Sequence, residues 1–446
     1  MVQTSHGGDG LSAHRPARRI ARLIAGVAGA FALAGAGGAQ ATNGYFQHGY
    51  GTASKALAGA GAALSLDAVA PSVNPAGIAF LGNRVDFGLT AFNPERSVDV
   101  EGAPTQPANL LTPGKVESDR PWFPIPNGGI TYRVDDRLAL GLALYGNGGI
   151  NTDYPAFGRT CPNPLGGPAV PGKGVFCGGE AGVDLTQVFL SPTAAYEFLD
   201  GWAVGVSPIL AAQSFEAKGL GAFAPMSKDP ASLSDNGHDM SYGAGVRLGI
   251  QGAVTDWLRV GASYRTRVEM SKFDDYDGLF AEDGDFDIPP SWTVGTALRP
   301  VEGLWILADF QQIQYDEVAA VSNEFPAGTQ LGAENGPGFG WETMNVVKLG
   351  LQWRASEKLT LRAGYSTTDQ PIPDDQLLFN ILAPGVVEDH FTAGFGYRFS
   401  ESWSVDASAL YAPKVDVSGA NATDPAQDVE VELSEFSATI GVTYRY

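Results

Sequence analysis

Segments of strict period-two alternation recur along this chain, and no other feature limits its fold as much. Phe436, Ala438, Ile440, Val442, Tyr444 and Tyr446 alternate with Ser437, Thr439, Gly441, Thr443 and Arg445. Phe391, Ala393, Phe395, Tyr397 and Phe399 do the same against Thr392, Gly394, Gly396 and Arg398. Val347, Leu349, Leu351 and Trp353 oppose Lys348, Gly350, Gln352 and Arg354, and the stretches from Tyr242 to Ile250 and from Leu138 to Tyr145 repeat the pattern. Successive side chains of a strand point to opposite faces, so each segment reads as a strand with one apolar face. The second face holds Gly, Ala, Ser and Thr with an occasional Arg, where a soluble sandwich would carry Lys and Glu. Lipid suits the first face and an enclosed lumen suits the second. Past residue 41 no apolar run reaches the roughly 18 residues of a spanning helix. A closed barrel is the other structure that leaves no backbone group unpaired in lipid.

The links between strands set the topology. Short polar links at 135–136, 200–201, 255–256, 300–303, 355–358 and 400–401 alternate with long ones rich in Gly, Pro and acid, around 95–123, 151–183, 214–238, 272–289, 318–340, 366–388 and 413–430. Six short turns and seven long loops predict an all-β fold: a fourteen-stranded antiparallel transmembrane barrel. Trp202, Trp257, Trp305, Trp353 and Trp403 stand beside the short links, as an interfacial aromatic girdle requires. Trp122, Trp292 and Trp341 fall near long links and are expected in the opposite girdle.

Charge and composition remove other classes. The chain has 28 Lys+Arg against 49 Asp+Glu, a net charge of −21, too acidic to neutralise the phosphates of a nucleic acid. Its 58 Gly would erode an all-α fold by about 1 kcal/mol each. At the front, Arg15, Arg18, Arg19 and Arg22 precede an apolar stretch from Leu23 to Ala36 and the small-x-small pattern Ala39-Gln40-Ala41. Residues 1–41 are therefore expected to be a cleaved signal peptide. Export permits disulfides, and Cys161 and Cys177, the only cysteines, are expected to be joined within one long loop.

Residues 42–82 do not alternate. This Ala/Gly-rich stretch is too small to bury a core alone and reads as a plug of short helices and turns packed inside the barrel of residues 83–446. It opens with Gly44-Tyr45-Phe46, continues through Gly-Tyr-Gly at 49–51, and ends on Asn74-Pro75-Ala76-Gly77. These motifs, with Arg362-Ala363-Gly364-Tyr365, Gln370-Pro371-Ile372-Pro373 and His390-Phe391 in the late strands, resemble the outer-membrane long-chain fatty-acid transporter family (FadL type), which includes aromatic-hydrocarbon-uptake members. The resemblance spans the mature chain. It implies a barrel blocked by an N-terminal hatch, capture of hydrophobic ligands at the outer loops, a pocket against the hatch, and lateral exit through a gap at a kinked third strand.

Several residues are candidates for these roles. Pro75 holds Asn74 out of the α region, either as an ordinary turn or as a structural switch. Gly146-Asn147-Gly148-Gly149 ends the Leu run of the third strand and marks either the start of a loop or the kink of a lateral opening. Arg247, Arg265, Arg267, Lys348 and Arg362 fall on the inner face by periodicity. They are candidate head-group ligands, set against the plainer reading of ion pairs with Asp309 and Asp406. Asp274, Asp275, Asp277 and the run from Glu282 to Asp287 fail the EF-hand template, so no metal site is expected there. Apolar loop positions (Leu220, Phe223, Met226, Leu279, Phe280, Leu377, Leu378, Phe379, Ile381 and Leu382) suit a greasy route inward.

No nucleophile-and-base constellation or phosphate loop occurs, and neither enzymatic activity nor a cofactor is expected. The expected function is passive uptake of long-chain fatty acids across a Gram-negative outer membrane, with aromatic-hydrocarbon uptake or a general porin as the alternatives. The expected partners are a hydrophobic small molecule and outer-membrane lipid, with no nucleic acid, and the protein is expected to be a monomer.

Overall fold

A computed structural model describes residues 43–105, 111–119, 122–161, 163, 168, 170–326 and 328–446. The expected signal peptide, 1–41, lies outside them. Fourteen strands form the barrel: β1 (Arg84–Glu101), β2 (Phe123–Arg133), β3 (Leu138–Tyr154), β4 (Ala181–Leu199), β5 (Trp202–Lys218), β6 (Asp239–Ala253), β7 (Leu258–Arg265), β8 (Ser291–Val301), β9 (Leu304–Ile313), β10 (Met344–Arg354), β11 (Leu359–Thr368), β12 (His390–Arg398), β13 (Trp403–Asn421) and β14 (Asp424–Arg445). Each pairs antiparallel with its chain neighbours, and β14 closes on β1 from Arg84↔Arg445 to Glu101↔Asp428. Closure removes the sheet edges that lipid would leave unsatisfied. No helix among the described residues is long and apolar enough to cross a membrane.

The faces fall where alternation puts them. Leu349, Leu351, Phe391, Phe395, Ile440 and Val442 are exposed outward, while Thr392, Ser437, Thr439 and Thr443 are buried inward. All six short turns stand at the expected places, with Trp257, Trp353 and Trp403 exposed beside three of them.

Three expectations change. The seventh long link is no loop: β13 runs to Asn421 and β14 starts at Asp424, so 413–430 is mostly a paired hairpin. The alternation of Val429, Val431 and Leu433 with charged residues carries strand pairing past the lipid, and those three side chains are buried. Trp341 belongs to no girdle; it is 2% exposed and packs on Tyr45 and Tyr315. The apolar loop positions do not line an open groove. Phe223, Phe325, Phe339 and Phe379 stack on one another, and Leu220, Phe280, Leu377 and Ile381 are buried in the same cluster, so the outer loops share a core above the lumen. Burying that surface outweighs leaving it wet, at about 25 cal/mol per Å². Cys161 and Cys177 are joined as expected, stapling a small hairpin of Gly158–Cys161 and Val170–Lys173.

Candidate functional site

Residues 43–83 lie in the lumen as one helical turn, α1 (Thr52–Lys55), and two 3-10 turns, Ala70–Ser72 and Pro75–Phe80. Their small side chains bring backbone close to the wall, and wall side chains satisfy it. Asp309 on β9 accepts the amides of Gly61 and Ala62 at 2.8 and 2.9 Å. Asp86 accepts Ala68 N at 2.8 Å, Thr392 accepts Ala58 N at 3.0 Å, and Lys348 donates to His48 O at 3.2 Å. A segment lacking regular structure can be buried only when its amides and carbonyls find such partners.

The Asn74-Pro75-Ala76-Gly77 motif is one of these contacts. Asn74 is extended (φ −145°, ψ 109°) and caps the following turn by accepting Ala76 N at 3.1 Å. Its Nδ2 donates to Ala62 O at 2.7 Å and to Ile250 O of the wall at 2.9 Å. Inward-facing Gly249 makes room, since a Cβ there would stand 2.1 Å from Asn74 Oδ1. Much of the Gly-rich inner face serves to seat the hatch.

At the other end of the hatch, Gly44 has φ +62° and starts the turn that leads into Tyr45 and Phe46. Both rings are buried with Tyr315, Trp341 and Phe286, at centroid separations of 5.0 to 6.1 Å. Phe46 pairs as an isolated bridge with Gly148 of β3. Gln47 N donates to Asn147 O at 3.0 Å, Gly149 N to Tyr45 O at 2.9 Å, and Gln47 Nε2 to Gly146 O at 2.6 Å. The hatch head is thus stitched to the third strand where that strand bulges: its register with β4 shifts between Gly146 and Gly148.

That stretch needs a substitute partner because the wall is interrupted. β2 pairs with β1 up to Phe92↔Phe123 but with β3 only from Asn127↔Tyr145 downward. Pro124 and Pro126 carry no backbone N–H and share one edge of β2, so that edge cannot sustain a ladder. The strand is not a loop start, as β3 continues to Tyr154. The two prolines are the site residues that the sequence reading overlooked, and proline at alternate positions of a strand is the signal that marks them.

Of the five basic candidates, Arg362 pairs with Asp406 at 2.6 Å and Arg247 donates to Val73 O at 3.2 Å. Lys348 is buried beside Asp309 in cross-strand register and holds His48 O. Arg267 is not on the inner face: β7 ends at Arg265, and Arg267 is half-exposed beside Asp287 and Glu317. Arg265 is fully buried, with Nη1 donating to Asn147 Oδ1 and Nη2 to Pro289 O, both at 2.8 Å. Among the described residues no three or more His, Cys, Asp or Glu are grouped to hold a metal.

Three hatch side chains bear titratable groups in unfavourable surroundings. Burial first and the neighbouring His390 second hold the His48 imidazole well below its usual value. Burial first and the neighbouring Asp86 second push the Asp67 carboxyl up to about 7, and burial brings the Lys55 ammonium down to about 7. Between the usual carboxyl value near 4 and pH 7, the docked hatch binds more protons at Asp67 than the undocked one, so docking weakens as pH rises through that window. Between pH 7 and the usual lysine value near 10.4 the undocked hatch binds more protons at Lys55, so docking strengthens with pH. Below the usual imidazole value near 6.5 the undocked hatch binds more protons at His48, which offsets Asp67. Hatch undocking, read as amide exchange corrected for its intrinsic rate, is therefore expected to fall as pH rises above about 7. Lys55→Met should remove that fall, and Asp67→Asn should keep it while making docking strengthen with pH below about 6.5. Corrected exchange that does not slow above about pH 7 would contradict the assignment.

The family profile described as outer membrane protein transport protein (OMPP1/FadL/TodX) matches residues 28–446. No curated protein matches the chain. Among solved structures, the chain is similar to the Pseudomonas putida toluene transporter TodX (19% identity, 91% of this chain and 100% of that one, TM-score 0.65). It is also similar to the Ralstonia pickettii toluene transporter TbuX (18%, 90% and 99%, 0.61) and to a Pseudomonas aeruginosa FadL homologue (15%, 90% and 99%, 0.64). At such identities these likenesses speak for the fold. Together with the closed barrel and the family match along nearly the whole chain, they lead to one statement: this protein belongs to the OMPP1/FadL/TodX family, outer-membrane barrels that pass hydrophobic compounds passively and are not enzymes.

Proposed function

We propose that the cargo is a neutral hydrophobic molecule of aromatic-hydrocarbon size, held against the hatch head and released sideways through the interruption between β2 and β3. The observation that carries the reading is the hatch head itself. Tyr45, Phe46 and Gln47 stopper the stretch where Pro124 and Pro126 end the ladder, and aromatic rings surround them. A molecule that replaces Tyr45 or Phe46 among those rings meets apolar and π surfaces, which suit an arene. All five candidate cations are engaged by acids or backbone carbonyls, which argues against a waiting carboxylate partner. A porin reading is disfavoured because residues 43–83 occupy the lumen.

A second reading, the long-chain fatty acid, is favoured by Arg265, a buried cation with no acidic partner among its contacts. Competition binding on purified protein in detergent separates the two. Toluene is expected to displace a bound fluorescent arene, and oleate and oleyl alcohol are expected to compete equally and more weakly. Oleate binding more than about tenfold tighter than its alcohol, a difference of about 1.4 kcal/mol, would favour the fatty acid and overturn the first reading.

A further inference from the structure

We propose that Arg265 is a latch coupling the outer loop 266–290 to both the hatch head and the β3 bulge, so that displacing the loop frees the hatch. The inference rests on the transport reading above and adds what controls it.

Arg265 lies at the junction of three parts that transport would have to move. One terminal nitrogen holds Asn147 Oδ1 at the bulge of β3, and the other holds Pro289 O at the end of the outer loop. The guanidinium stands 4.4 Å from the ring centroid of Phe46, at the hatch head. Its Nε has no partner. The charge is therefore held by neutral acceptors and two π faces, those of Phe46 and, at 5.7 Å, Phe189 of β4. The arrangement has no acid in it, and losing a single acceptor unbalances it.

Asn147 is the second node. Its backbone carbonyl accepts Gln47 N, its Oδ1 also accepts the Tyr50 hydroxyl at 3.4 Å, and its Nδ2 donates to Gln187 Oε1 at 2.9 Å. From there Gln187 Nε2 donates to Gln213 Oε1 at 3.1 Å, and Gln213 Nε2 to Phe286 O at 2.8 Å. Two hydrogen-bonded routes thus leave the same outer loop, at Phe286 and at Pro289, and meet at the bulge residue to which the hatch is stitched. Arg265, Asn147, Gln187 and Gln213 are all buried away from bulk solvent. A buried polar network fully tied in one arrangement stays rigid and is weakened as a unit when one link breaks. A ligand wedged under loop 266–290 breaks the link at Pro289.

The test uses the full mature chain in detergent micelles with Ala53→Cys as reporter. Ala53 is buried in α1, and the native cysteines are bonded to each other, so maleimide labelling reads hatch undocking alone. Arg265→Met keeps the stem but loses both donors and is expected to speed labelling at least tenfold. Asn147→Asp gives the guanidinium a carboxylate and is expected to slow labelling below that of the unaltered chain. The charge-assisted pair with Arg265 outweighs the neutral Gln187–Gln213 link lost when the Gln187 amide turns to donate to the new carboxylate. Saturating toluene is expected to speed labelling of the unaltered chain and to add nothing in Arg265→Met. A structural role alone would make both substitutions loosen the hatch. Labelling of Arg265→Met at the unaltered rate, or acceleration by both substitutions, overturns the latch. Uptake of toluene into vesicles is scored alongside: uptake without the labelling response sinks the latch only, whereas the labelling response without uptake sinks the transport reading and leaves the latch standing.

Discussion

Gly148→Trp is expected to abolish uptake of hydrophobic ligand while leaving the barrel assembled. Even a Cβ at Gly148 would lie 1.8 Å from Tyr45 O and 3.0 Å from Phe46 Cα, so any side chain there competes with the hatch head for the same space. Overpacking of that kind costs the docked state about 1–3 kcal/mol. An indole that wins the space fills the interruption between β2 and β3 and leaves no width for cargo. The ladders from β4 round to β2 do not pass through Gly148, so the folded barrel should still migrate as a compact species on unheated gels. Gly158→Trp serves as control, because nothing lies within 4 Å of its Cβ position. Uptake reduced by about tenfold or more with the control unaffected is the expected result. Normal uptake by Gly148→Trp would mean that cargo leaves by another route.

Asp309→Ala is expected to release the hatch most strongly of any single wall substitution. The carboxylate accepts two hatch amides, and it stands across the ladder from buried Lys348. Alanine leaves two buried donors and one buried ammonium without it, and removing one partner of a buried charged set costs about 3–5 kcal/mol. Because the barrel ladders are untouched, that loss falls on hatch docking rather than on the wall. Asp309→Asn keeps an oxygen that can accept both amides and should lose less, leaving only the charge of Lys348 unbalanced. Amide exchange over residues 57–64 checks both: faster exchange in the order Ala, Asn, unaltered is expected. Equal exchange in all three would show that Asp309 does not hold the hatch.

Much of this site was visible in the amino-acid order, and the reasons differ by residue. The hatch motif at Asn74 and the Gly run at 146–149 were legible because Pro and Gly act on their own backbone, through φ and through the missing Cβ. Pro124 and Pro126 act the same way but were overlooked, because no sequence shows which edge of a strand lacks a donor until the neighbours are known. Arg267 was misplaced because alternation was carried two residues past the end of β7, where the chain leaves the wall. Trp341 was misplaced because nearness to a long link says nothing of whether the link folds back over the lumen.

The strand alternation, the short turns and the small-residue hatch by themselves determined that this chain closes into a fourteen-stranded barrel with residues 43–83 inside, since period-two burial and the ban on unpaired backbone in lipid are local requirements. Only the tertiary structure decided which wall groups hold the hatch, that the outer loops bury their apolar residues against one another, and that Arg265 meets Asn147, Pro289 and Phe46. Those partners lie a hundred or more residues apart in several cases, and hydrogen bonds between such distant groups depend on register and loop closure, which no local pattern encodes.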